Sequence, residues 1–185
     1  EFSVYSGVSN LVGNRPLEEA MQQEFDKLGP VTFDAEDNQF ADEIRQSLSK
    51  EDIAASFQRI GVKTPADMPL CDFVAPLDRH GEGGEGSTDV GDVSWVVPTA
   101  GIRTATWVPG TAAHSWQAVA SGGTTIGLKG TELAAKTIAA TAVEIFSNPL
   151  IIKEAKKELE QRVGDDFVYK ALLGDRKPPL NYRVN

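Results

Sequence analysis

The densest run of polar side chains is Gly86-Ser-Thr-Asp-Val-Gly-Asp-Val-Ser-Trp95, where a glycine-rich loop leads into a β-prone run. Thr88, Asp89 and Asp92 are its candidate functional groups. Two aspartates three residues apart do not share a face of a regular strand, whose side chains alternate, but a turn at Gly91 brings both to one edge. Ser87, Thr88 and Asp89 could equally serve only to hydrogen-bond backbone groups at a turn. The second run is Val108-Pro-Gly-Thr-Ala-Ala-His114-Ser-Trp116, a histidine after a Pro-Gly turn. A neutral imidazole there suits a metal ligand or a structural hydrogen bond. His80 falls in the flexible glycine loop.

Other motifs are weaker. Gly81-Glu-Gly-Gly84 lacks the lysine of a phosphate-binding loop and precedes a predicted strand, so a nucleotide site is rejected. Gly122-Gly-Thr-Thr125 and Gly127-Leu-Lys-Gly-Thr131 have the form of a glycine-containing approach to a helix N-terminus, which can bind an anion or simply cap the helix. There is no Gly-x-Ser-x-Gly elbow, and Cys71 beside Asp72 reads as a small buried hydrophobe.

Several elements must position these groups. The period-two placement of Phe2, Val4 and Val8 predicts a short strand. Asn14, Pro16 and the acidic pair Glu18-Glu19 open a helix whose apolar face is Leu17, Met21, Phe25 and Leu28, with Gly29-Pro30 ending it. Asp34 and Ser49 each cap a further helix, the first carrying Phe40, Ile44 and Leu48, the second Ile53, Ala54 and Phe57. Prolines 65, 69 and 76 and the glycines to Gly86 mark a loop. Val90–Val97 and Ile102–Val108 are rich in Val, Thr and Trp and predict two buried strands. His114–Ala120 suits one or two turns of helix. Thr131–Phe146 and Leu150–Val163 predict two long amphipathic helices, the second opened by Asn148-Pro149, before an extended tail. Helices around a few strands give an α/β class with a mixed sheet.

Composition narrows the function. With 185 residues, the chain is one domain or a piece of one. A hydrophobic content of 41% supports a core, and a formal charge of -9 opposes binding to nucleic acid or to an anionic membrane surface. No run approaches the roughly 20 apolar residues that cross a bilayer. A single cysteine forms no internal disulfide, which together with the absence of a signal-like start points to a reducing, cytoplasmic setting. Two histidines and one cysteine are too few for a self-contained centre of two transition-metal ions. The missing initial methionine agrees with a processed start or a longer parent protein.

The strings Gly86–Ser94 and Pro109-Gly-Thr-Ala-Ala-His-Ser-Trp-Gln117 resemble the dinuclear metallopeptidase and amidohydrolase family that includes glutamate carboxypeptidase and aminoacylase, in its aminobenzoyl-glutamate-cleaving branch. The resemblance covers nearly the whole chain. It implies that residues 1–12 end an inserted lid or dimerisation domain and that 13–185 form the C-terminal half of an α/β catalytic domain. It implies that His114 is a ligand of a centre of two divalent ions, zinc or manganese, and that Thr88, Asp89 and Asp92 support the ligands from behind or face the substrate. On this reading the general base and remaining ligands lie in the N-terminal part of the same protein, which is this chain's partner. No catalytic residue falls in this fragment, which alone is inactive. The expected activity is hydrolysis of an N-acyl amino acid amide, p-aminobenzoyl-glutamate above all, in a homodimer or hetero-oligomer. The alternative is a noncatalytic binding or scaffold module that keeps the fold.

Overall fold

The computed structural model describes residues 2, 4–62, 68–77, 88–177, 180 and 183. Among these, seven helices and no strand are found: α1 (Arg15–Leu28), α2 (Ala35–Arg45), α3 (Lys50–Arg59), α4 (Val90–Ser94), α5 (Trp116–Gly122), α6 (Thr125–Ser147) and α7 (Pro149–Val163).

Of the four predicted N-caps, three make side-chain cap bonds, and Asn148, at the N-cap of α7, makes none. Asn14 Oδ1 accepts from Leu17 N, Asp34 closes a reciprocal capping box with Asp37, and Ser49 Oγ accepts from Asp52 N. Asn14 also donates through Nδ2 to Ala155 O at 2.8 Å, while Glu158 accepts from Arg15 N at 2.7 Å. Both bonds pin the start of α1 to α7. Helix α6 is the spine: α1, α5 and α7 all pack on it. One part of the core gathers Ala41, Ile44, Leu70, Val108 and Ile126. Ala20 of α1 and Ala155 and Leu159 of α7 are also buried.

The expected α/β class with a mixed sheet is overturned, since the regular structure of the described residues is helical throughout. Val90–Val97 is not a strand: Gly91 N donates to Thr88 O, and Val96 N and Val97 N both donate to Val93 O. Its valine content suits a strand, yet Val90, Val93 and Val97 stand three and four apart, which is the helical period. Ile102–Val108 is free of helix but pairs with no second strand among the described residues, and a ladder needs a partner. The segment packs on α6 instead, with Thr104 Oγ1 donating to Gly130 O at 2.8 Å. The predicted strand near the start is likewise absent, and Phe2 and Val4 are exposed.

Helix α6 begins six residues before its predicted start at Thr131. The reason is steric. A Cβ on Gly127 would stand 2.4 Å from Gly122 O, and one on Gly130 would stand 2.3 Å from Ala105 O. These glycines sit inside the helix because neighbouring backbone crosses there. The anion site read at Gly127–Thr131 therefore lies within a helix. In the true first turn, Thr125 Oγ1 donates to the buried carboxylate of Asp37, which also accepts from Lys129 Nζ.

Candidate functional site

The loop bearing His114 is built on α3. Gly110 N donates to Ser56 Oγ at 2.7 Å, and Gly110 has φ 95°, with its α-carbon so close to Ile53 that a Cβ would meet Ile53 Cγ1 at 2.8 Å. Glycine is required there on both counts. Val108, Pro109 and Gly110 are buried, and Thr111 N donates to Val108 O to close the turn. At the far end Ser115 Oγ donates to Ala112 O at 2.7 Å and accepts from Ala118 N, capping α5.

Between these fixed ends His114 is exposed and has φ 61°, the one positive value of a non-glycine residue among those described. A side chain in that left-handed region costs on the order of 1–2 kcal/mol, so its surroundings hold it there. No hydrogen bond or ion pair engages its imidazole among the described residues. Three residues earlier, the buried Thr111 hydroxyl also has no hydrogen-bond partner among the described residues.

Thr88, Asp89 and Asp92 meet at the start of α4. Thr88 Oγ1 accepts from Val90 N at 3.3 Å, and Asp89 is exposed at the N-cap position without making a cap bond. Asp92 is held fast by Ser9, whose Oγ donates to Oδ1 at 2.8 Å and whose N donates to Oδ2 at 3.3 Å. Tyr169 OH donates to the same Oδ1 at 2.9 Å. Hydrogen bonds from Ser9 first and Tyr169 second hold the Asp92 carboxyl below the usual range, and the Asp92 bond pushes the Tyr169 phenol up. No hydrogen bond or ion pair joins His114 to this corner among the described residues. Thr88 and Asp89 thus stand exposed at the start of α4, Asp92 is turned to Ser9 and Tyr169, and His114 stands on a separate loop.

Ser9 and Tyr169 were missed in the sequence. Each lies in a run with no motif, and no local spacing links positions so far apart in the chain. A cleft of about 540 Å³ lies beside Asp92, between Tyr5 and Gly7 on one side and Tyr169, Leu172 and Arg176 on the other. His80 and Ser87 lie outside the described residues. Burial pushes the Cys71 thiol up to about 11, with the Asp72 charge adding to it, so at neutral pH it is no nucleophile. Among the described residues no three or more His, Cys, Asp and Glu cluster closely enough to hold a metal ion, and no helix is long and apolar enough to cross a membrane.

The described residues thus form a helical scaffold with His114 exposed on a loop anchored at both ends. The chain is similar to the B subunit of p-aminobenzoyl-glutamate hydrolase from Escherichia coli (strain K12), with 34% identity over 171 residues that take in 87% of this chain. It spans about a third, 35%, of the length of that protein. No family model and no solved structure matches the chain.

Proposed function

We propose that this chain is the C-terminal portion of a metal-dependent hydrolase that cleaves p-aminobenzoyl-glutamate, or a close N-acyl amino acid, at its amide bond. The observation that carries this reading is His114: exposed, unengaged, and held in a costly backbone conformation by a loop anchored at both ends. The similarity to a hydrolase component supplies the reaction.

His114 fits one ligand position of a divalent-metal centre, because a neutral imidazole with no competing hydrogen bond keeps a lone pair for the ion. Two such ions, zinc or manganese, would polarise the scissile carbonyl and acidify the attacking water. The other ligands and the general base would come from the N-terminal part of the same protein, as the resemblance carried by Gly86–Ser94 and Pro109–Gln117 implies. The Pro109-Gly110 turn and the Ser115 cap fix where the imidazole stands, which limits the reorganisation needed when the centre assembles. Thr88 and Asp89, exposed at the start of α4, are the groups of this chain offered to the substrate side. The relative is named as one subunit of its enzyme, which supports a hetero-oligomeric assembly. The single, unpaired cysteine favours a cytoplasmic setting for it.

His114→Ala in the full-length protein tests the reading. The expected outcome is loss of bound metal and a fall of at least about a hundredfold in hydrolysis, with circular dichroism unchanged. Retention of both metal and activity would make His114 structural. Hydrolysis by the 185-residue chain alone, free of contaminating enzyme, would equally overturn the division of the site.

A further inference from the structure

Helix α4 is short, and what surrounds it is unusually specific. On one side lie residues 9–12. Besides the two bonds from Ser9 to Asp92, Val12 N donates to Ser94 Oγ at 2.8 Å and Trp95 Nε1 donates to Asn10 O at 2.9 Å. Ser94 is fully buried and donates its own hydroxyl proton to Gly91 O at 2.6 Å. Gly91 faces the Ser9 carbonyl so closely that a Cβ would stand 2.0 Å from its oxygen. On the other side lies the segment after α7. Tyr169 donates to Asp92, and the Phe167 ring packs on Trp95 with centroids 5.3 Å apart. The two outer segments also hold each other: Arg176 Nη1 donates to Val4 O at 2.6 Å, its guanidinium lies 5.9 Å from the Tyr5 ring centre, and Gly7 abuts Leu172.

We propose that Asp92 is a positioning residue: one carboxylate ties residues 9–12 and residues 167–169 to α4 and thereby sets the place of Thr88 and Asp89. The assignment of Thr88 and Asp89 to a substrate side rests on the hydrolase reading above. The tie itself rests on geometry. Ser9 Oγ and Tyr169 OH share the single oxygen Oδ1, so loss of either donor loosens the carboxylate toward the other, with the longer Ser9 N bond to Oδ2 as the remaining tether. Helix α4 has no extensive packing on any other helix, and its place depends on these segments. A displacement of residues 4–12 is therefore passed to Asp89 at the head of α4, and the same holds for residues 167–177. Under this proposal Asp92 acts through the loop and makes no contact with the reacting atoms.

Residue-resolved amide hydrogen exchange on the 185-residue chain tests this without any assay of activity. Ser9→Ala should speed exchange by at least about tenfold at residues 9–12, at the Tyr169 segment and at Val90–Asp92 together, while the centres of α1, α6 and α7 keep their protection. Tyr169→Phe should release the same three regions, and the double variant should fall short of the sum of the singles. Ser9→Thr, which restores a hydroxyl, should return the protection. The proposal is overturned if Ser9→Ala loosens only 9–12 and Tyr169→Phe only its own segment, or if Val90–Asp92 responds to neither. Because exchange does not depend on turnover, failure of the junction is distinguishable from failure of the hydrolase reading.

Discussion

Asp37 shows how a single carboxylate organises its neighbourhood. Burial pushes its carboxyl up, and hydrogen bonds from Lys129 and Thr125 more than offset this, leaving it below the usual range. Asp34, at the cap of α2, shares Lys129 at 2.7 Å. The two partners are unequal: the Asp37 side chain has no exposed surface, while that of Lys129 keeps 30%. Removing the lysine leaves an uncompensated buried charge, whereas neutralising the aspartate leaves a cation that reaches water and Asp34. Lys129→Met should therefore lower the urea midpoint more than Asp37→Asn does. The reverse order would show that the ion pair is not what keeps Asp37 charged. His114 is the contrasting residue, since its cost is borne with no hydrogen bond or ion pair to its imidazole among the described residues.

At the scale of elements, the caps were legible and the glycines were not. Asn14, Asp34 and Ser49 satisfy the nearest free N–H groups, a local rule that a sequence displays directly. Gly127 and Gly130 look like breaks in a sequence because their role is set by backbone that crosses from elsewhere, at Gly122 and at Ala105. Gly130→Ala should cost about 1–3 kcal/mol through overpacking against the Ala105 carbonyl, and loosen the 104–106 segment. Gly122→Ala, where nothing lies within 4 Å, should be neutral or slightly stabilising. Thermal melts of the two variants side by side measure the difference, and equal melting temperatures would remove the steric explanation for the early start of α6. The valines of α4 were misread for a related reason. Branching favours a strand on average, but spacing and the bonds onto Val93 decide for helix.

At the scale of the molecule, the loop of His114 and the corner of Asp92 are both legible as polar runs. What ties Asp92 to Ser9 and Tyr169 is long-range and invisible in one sequence. This long-range tie carries a pH dependence with a definite sign. Asp92, Asp34 and Asp37 all titrate below their ordinary value in the folded chain. The unfolded chain thus takes up these protons first as the pH falls. Their contribution is complete above the ordinary aspartate value of about 4 and is lost progressively as the pH drops through the lowered folded values. Urea unfolding followed from about pH 6 to about pH 2 should show stability falling below about pH 4, with Asp92→Asn flattening part of that fall. A profile unchanged by that substitution would separate Asp92 from the acid response. At the other end of the scale, Lys129 is raised above its ordinary value by Asp34 and then Asp37, so its share persists through neutral pH and disappears only in strong alkali.

Cys71 stands next to Leu70, which is 2% exposed in the core. Cys71 is half-buried and burial pushes its thiol up, so it reacts slowly with a thiol reagent at neutral pH and faster when the segment opens. With one cysteine in the chain, the labelling rate is a clock for that opening, read without any introduced probe. The same clock can be run on any of the variants above, and it times the core where Leu70 packs with Ile44 and Ile126.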